Sequence, residues 1–269
     1  MAVRDRRWYV SLDALKNELG ITATTHDAKL KRYIERASAY VERVTGRTFH
    51  PVTATRYFDA PVGTPRGALY LGDDLLSVTS ITDDGGALTA TSYFLYPLNR
   101  PPYRRVELLA TSDTWTFTDS RQQAIIIVGT WGYSASYDDT GATLNGALSS
   151  TTAATFTASD GSLIEVGWSL LIDSEQLFVT GVSSNTVTVQ RGNNGTTAAT
   201  HSTGATIYRY VPEPDVTEAV VLLAALWYQW RNVGGVQSQR IGDYAVTYVD
   251  GWPVPEIVRD TLARLTPLV

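Results

Sequence analysis

Between Thr24 and Phe49 the chain reads TTHDAKLKRYIERASAYVERVTGRTF, a segment whose apolar spacing admits one local structure. Leu30, Ile34, Ala37, Val41 and Val44 recur at alternating steps of four and three, while Lys31, Arg32, Glu35, Glu42 and Arg43 fall outside that stripe. A helix with one apolar face must bury it, so a packed helical core is demanded from the start. Thr24 with Asp27 three residues on predicts a capping box, and Gly46 predicts a left-handed C-terminal cap. A shorter helix precedes it, carrying Leu12, Leu15, Lys16 and Leu19 and closing at Gly20-Ile21.

Whether the rest of the chain can supply that core is a question of size. At 269 residues with 43% apolar content, it has room for one large domain or two modest ones. The chain contains no cysteine, which removes disulfide scaffolds, thiolate nucleophiles and cysteine-based zinc sites, leaving packing as the source of stability. A formal charge of -5 argues against gripping nucleic acid through a basic surface. Met1 to Arg7 is charged and Trp8-Tyr9-Val10 is too short for a signal core, so synthesis in the cytosol is expected. The most apolar run, Ala219 to Tyr228, is about half the ~20 residues that span a bilayer, and no membrane partner is expected.

After Phe49 the texture becomes extended. Arg56 to Phe58, Ala68 to Leu71, Ser77 to Thr82, Tyr93 to Tyr96, Arg105 to Leu109 and Ile125 to Val128 read as short strands separated by Pro, Gly and Asp clusters, predicting an antiparallel β unit. From about Thr143 to Tyr210 a Thr-, Ser- and Gly-rich block follows. Its alternating runs at 154–158, 169–172, 176–180, 186–190 and 205–210 predict a small all-β module with its own core. Excision of that module at Gly141 and Pro212 is expected to leave the remainder folded.

Pro212-Glu213-Pro214-Asp215 opens a second long helix, from Asp215 to Arg231. Val220, Leu223, Leu226, Trp227 and Trp230 are joined there by Val221, Leu222 and Tyr228 off the main stripe, and a helix apolar on every side must be buried on every side. Two arrangements satisfy this: a central helix of one subunit, or a helix shared between its own fold and a neighbouring copy. A Gly-rich loop, Val233 to Gln239, leads to a strand at Tyr244 to Val249. A last helix, Pro255 to Leu265, carries Ile257, Val258, Leu262 and Leu265 on one stripe.

Candidates for chemistry are few. His26, His50 and His201 sit in polar or turn sequence without a second histidine at ligand spacing, and are expected at the surface. No nucleophile elbow, P-loop or dinucleotide turn is present; Arg191 to Thr196 lacks the lysine and strand-to-helix context of a phosphate cradle and reads as a β-turn. Asp73-Asp74, Asp83-Asp84 and Asp138-Asp139 are adjacent acids whose side chains diverge, so they read as solvated turn residues rather than a hydrolytic pair. Asp160, Asp173 and Glu175 match no calcium-loop spacing. No catalytic residue, metal or cofactor is assigned. Trp115, Trp131, Trp168 and Trp252 near strand ends keep open a glycan-binding or tail-fibre-like reading, with core anchoring as the commoner use of such rings.

The helix pair and the turn after it resemble the opening of the head-tail connector (adaptor) proteins of tailed bacteriophages. The family's first helix is matched by Leu12, Leu15, Lys16, Leu19, Gly20 and Ile21, and its "Glu-Arg-x-Thr-Gly-Arg-x-Phe" ending by Glu42, Arg43, Thr45, Gly46, Arg47 and Phe49. Gly129-Thr130-Trp131-Gly132-Tyr133 and the closing order of helix, Gly242-Asp243-Tyr244 strand and short helix are similar too. The resemblance implies an α+β fold. Residues 1–50 would form N-terminal helices of a connector core, 51–140 an antiparallel β unit, 141–211 an inserted all-β module outside the family pattern, and 212–269 the C-terminal helices and strand completing the core.

It also implies a non-enzymatic virion protein at the head-tail interface. Such a protein assembles as a homo-oligomeric ring, typically of twelve subunits, between the portal protein and a downstream tail or stopper protein, and passes DNA without sequence-specific contact. On that reading Val220, Leu222, Leu223, Leu226, Trp227 and Trp230 are the candidate subunit interface. Trp252, Ile257, Val258, Leu262 and Leu265 are the candidate portal contact.

Overall fold

A computed structural model describes residues 5–109, 114–231, 238–241, 244–247 and 254–267. Their contacts divide into two units, one of residues 47–136 and 194–197, the other of residues 5–46, 137–193 and 198–267.

The unit of residues 47–136 is built on an antiparallel sheet: β1 (Val52–Phe58), β2 (Leu69–Asp83), β3 (Gly86–Ala87), β4 (Tyr93–Tyr96), β5 (Tyr103–Leu108) and β6 (Ile125–Trp131). The strands lie in the order β1-β6-β2-β5-β4, with β3 paired to β2. Alternation decides the buried face: Ile125, Ile127 and Trp131 of β6 join Leu75, Ile81, Val106 and Trp115 in one core. The two runs expected at 68–71 and 77–82 are one strand. Gly72-Asp73-Asp74 reads as a turn, yet β2 continues through it, pairing with β5 up to Leu75 and with β6 from Leu75 onward, and register shifts absorb the irregular residues.

The other unit contains the four α-helices of the described residues: α1 (Leu12–Leu19), α2 (Asp27–Thr45), α3 (Pro214–Trp230) and α4 (Glu256–Leu265). Both N-terminal helices stop at a glycine with positive φ, Gly20 at 64° and Gly46 at 65°, as the local signals require. The start of α2 differs from expectation. Ser11 caps α1 by accepting from the Ala14 N–H at 3.0 Å. Thr24–His26 forms a separate 3-10 turn, so no capping box closes on α2; Asp27 instead takes the Lys16 Nζ at 3.0 Å and ties α2 to α1. Leu30, Ile34, Ala37 and Val41 are fully buried, but Val44 is 42% exposed. The 3.6-residue period carries Val44 off the face, and Thr45 occupies the buried position, its hydroxyl donating to the Val41 carbonyl at 2.8 Å.

The same unit holds a second antiparallel sheet of β7 (Tyr137–Thr143), β8 (Thr155–Thr157), β9 (Ser169–Ile172), β10 (Glu175–Ser183), β11 (Thr186–Gln190) and β12 (Thr206–Tyr210), ordered β7-β12-β9-β10-β11-β8. Its two edges meet: Leu144 bridges to Ala158, the Asn145 N–H donates to the Thr157 carbonyl and the Ser159 N–H to the Thr143 carbonyl, both at 2.8 Å. The sheet therefore curls to closure around Leu170, Ile172, Leu177, Val179, Val187, Val189 and Ile207, which leaves no long free edge. β7 is an element the sequence reading missed, because Asp138-Asp139 looks like a turn; both acids are strand residues opposite Arg209 and Tyr208.

This sheet is not independent of the N-terminal segment. Phe178, on the opposite face of β10 from Leu177 and Val179, meets the Trp8 ring edge-on at 5.2 Å. The Leu12 N–H donates to the Val166 carbonyl at 2.9 Å, and Lys31 Nζ to the Thr180 carbonyl at 3.2 Å. Arg6 and Asn193 exchange two hydrogen bonds. A two-stranded pair, β13 (Ser238–Ile241) with β14 (Tyr244–Thr247), precedes α4. The expected Gly-rich loop lies outside the described residues except for Ser238 and Gln239, which begin β13.

Candidate assembly surfaces

The motif residues do architectural work at short range. Leu15 and Lys16 are buried and Leu19 half-buried on α1. Glu42 accepts from the Tyr9 hydroxyl at 2.5 Å, with Arg7 3.8 Å away. Beyond Gly46, Arg47 reaches Asp74, 3.4 Å from its Oδ2, while Arg104 lies 3.6 Å from Oδ1. Burial raises the Asp74 pKa, and the two guanidiniums pull against that rise. Arg47 also stacks 4.8 Å over Tyr133, whose edge meets the buried Phe49 at 5.5 Å and whose N–H donates to the Thr48 carbonyl. Asp74 and Asp83 are thus buried rather than solvated, Asp83 accepting from the Thr116 N–H at 2.9 Å. Arg43 stands apart from its neighbours: it is exposed, with its guanidinium 5.4 Å over the Tyr40 ring.

A second charged centre was not anticipated. Glu175 is fully buried and accepts from Arg191 Nε at 2.7 Å and Nη2 at 2.6 Å, from the Gly192 N–H at 2.9 Å and from the Ala199 N–H at 2.9 Å. His201 Nε2 lies 2.9 Å from Glu175 Oε2, and its Nδ1 2.7 Å from Asp173 Oδ2. Burial alone would raise Glu175, but Arg191, the Ala199 N–H, His201 and the Gly192 N–H together lower it to about 2. Arg191 also donates to the Ser150 and Ala153 carbonyls, so one ion pair fastens the loop after β11 to the barrel wall. The signal in the sequence was Asp173-Ser174-Glu175 followed by Arg191-Gly192 and His201. His201 and His50 are buried, against the surface placement expected for them, because turn-like local sequence does not report what covers it. His26 Nδ1 is 2.9 Å from the Tyr228 hydroxyl.

The aromatic candidates separate cleanly. Trp115 and Trp131 are core residues whose indole N–H groups donate to the Gly67 and Ala54 carbonyls, so neither offers a stacking platform; Trp252 lies outside the described residues. Trp168 is half-buried beneath Arg209, 4.7 Å away, in an open cleft of about 520 Å³ that also contains Asp138, Asp139, Leu163 and Glu165. On the sheet of residues 47–136, Tyr70 is 67% and Phe94 46% exposed. Arg105 lies 5.8 Å from the Tyr70 ring and 4.5 Å from the Tyr96 ring, and pairs with Glu107 at 2.9 Å.

The expected interface residues of α3 divide by face. Val220, Leu223 and Trp227 are buried where α3 packs on α1, α2 and α4, whereas Leu222, Leu226 and Trp230 are only partly buried. On α4, Val258 and Leu262 are buried, Leu265 is half-buried, and Ile257 is 65% exposed. The supposed single stripe therefore splits, since adjacent residues stand about 100° apart on a helix. Among the described residues, no cluster of three or more His, Asp or Glu is placed to hold a metal ion, and no helix is long and apolar enough to cross a membrane.

Against known families, residues 9–75, about a quarter of the chain, match the family described as phage gp6-like head-tail connector protein. The matched stretch runs from Tyr9 through α1, α2 and the Gly46-Arg47-Thr48-Phe49 turn to Leu75, just past Asp74. Comparison with curated proteins returns no match.

Proposed function

We propose that this chain, whose residues 9–75 belong to the phage gp6-like head-tail connector family, is a virion structural protein that assembles as a ring between the portal protein and a downstream tail or stopper protein. It acts without catalysis or cofactor, holding components together and leaving an axial passage for DNA. The observation that supports self-assembly most directly is α3. One side of this helix fills the subunit's core through Val220, Leu223 and Trp227, and the other leaves Leu222, Leu226 and Trp230 only partly buried. A further copy of the chain removes that apolar area from water, and ring contacts are heterologous, joining two different patches. Ile257 on α4 and the Tyr70–Arg105–Tyr96 ladder are the further surfaces available to head or tail components, since exposed Tyr and Arg are enriched at protein interfaces. A net charge of -5 suits a conduit through which DNA slides without phosphate-gripping contacts.

The test is the particle mass by light scattering, for the protein alone and mixed with portal rings. A ring alone, or a monomer that becomes a stoichiometric ring on the portal, is the expected result, and its mass gives the subunit count, for which twelve is proposed. A monomer indifferent to portal refutes the adaptor role.

A further inference from the structure

The outer face of α2 carries a line of exposed cations. Lys29, Arg32, Arg36 and Arg43 are all exposed and, at 100° per residue, fall within a sector of about 60° directly opposite the buried face. They extend over about 21 Å of helix. Lys29, Arg32 and Arg43 have no carboxylate partner among the described residues, and Arg43 and Arg36 rest over Tyr40 and Trp227, which hold their guanidiniums in place. In a chain of net negative charge, such a stripe fits an acidic surface better than it fits solvent.

The chain presents a surface of matching sign. The cleft on the second sheet brings Asp138, Asp139 and Glu165 together beside the apolar Leu163 and Trp168. Its one cation, Arg209, is already engaged, paired with Asp138 at 3.2 Å and stacked on Trp168. Asp139 and Glu165 are left without a cationic partner among the described residues. The cleft is concave and the helix convex.

We infer that α2 of one subunit docks its Lys29–Arg43 stripe into the Asp138–Asp139–Glu165 cleft of the next copy, forming a head-to-tail electrostatic contact around the ring. This rests on the ring reading above and assigns it two complementary patches, one of them on the β module that lies outside the family match. The same cations could meet duplex DNA. The acidic balance of the chain and the complementary cleft favour the neighbouring subunit.

The absence of cysteine makes the contact directly measurable. Arg32→Cys in one preparation and Glu165→Cys in another, mixed, assembled and oxidised with copper–phenanthroline, are expected to yield a disulfide-linked dimer that neither variant yields alone. Independently, Arg32→Glu with Arg43→Glu is expected to weaken assembly about tenfold at low salt. Mixing with a copy carrying Asp139→Lys and Glu165→Lys is expected to restore it. All four positions are at least partly exposed, so these variants keep their fold, which circular dichroism verifies. Rings that assemble normally with no cross-link and no effect of charge reversal overturn the contact and leave the ring reading standing. Failure of the unmodified chain to form any ring overturns both. Loss of duplex-DNA binding in Arg32→Glu with assembly unchanged overturns the contact and transfers the stripe to DNA.

Discussion

Four N–H donors and an imidazole edge converge on the Glu175 carboxylate, and its pKa carries a consequence for stability. A carboxyl held at about 2 in the folded state, against an ordinary value near 4.5, contributes its full stabilisation above about pH 4.5 and loses it as the pH falls toward 2. The shift corresponds to about 3 kcal/mol. Denaturant titrations between pH 5 and 2 are expected to show a decline of that order. In Glu175→Gln that decline is expected to shrink, and stability at pH 7 to fall by about 3–5 kcal/mol, because Arg191 stays buried without its counter-charge. An unchanged acid profile in the variant would mean that other carboxylates govern the transition. Gly167 is a second sensitive residue. Its φ is +101°, and a Cβ there would lie 2.5 Å from the Trp8 ring, so Gly167→Ala is expected to cost about 3 kcal/mol in thermal unfolding and to change the Trp8 fluorescence. Neither residue announces itself in the sequence. A buried glutamate and a turn glutamate look alike until the arginine sixteen residues on is seen to close over it.

At the scale of elements, local signals and long-range contacts share the outcome unequally. α2 ends where Gly46 predicts and buries most of the predicted stripe, because a stripe at 3.6-residue spacing and a left-handed cap are both short-range properties. Gly72-Asp73-Asp74 has the composition of a turn, yet the strand runs through it, because the flanking Tyr70 and Leu75 pair with neighbouring strands and Arg47 and Arg104 bracket the buried Asp74. α3 offers the sharpest test at this scale, since its two faces predict opposite phenotypes. Leu222→Asp is expected to leave a folded monomer, with a normal helical circular dichroism spectrum, that no longer assembles. Val220→Asp is expected to cost more than about 3 kcal/mol and to prevent folding, through a charge placed in the core. Assembly-competent Leu222→Asp would remove α3 from the interface.

For the whole molecule, the decisive question is whether residues 141–211 can be lifted out. They have a core of their own, as the alternating pattern predicts, yet Val166, Gly167, Phe178, Thr180 and Asn193 bear on Arg6, Trp8, Leu12 and Lys31. Excision is therefore expected to lower the stability of the helices by uncovering Trp8, rather than leave them intact. A helical melting curve that matches the full chain's would show that the contact is dispensable. By itself the sequence determined the elements that short-range physics governs: the helices from their stripes, their glycine ends, most strands from alternation, and the similarity of residues 9–75 to a connector family. The tertiary structure alone decided which acids and histidines are buried, how the second sheet closes on itself, which side of α3 faces the core, and that four cations of α2 face outward. Each of those depends on what packs against a residue from far along the chain, and residue spacing carries no record of that.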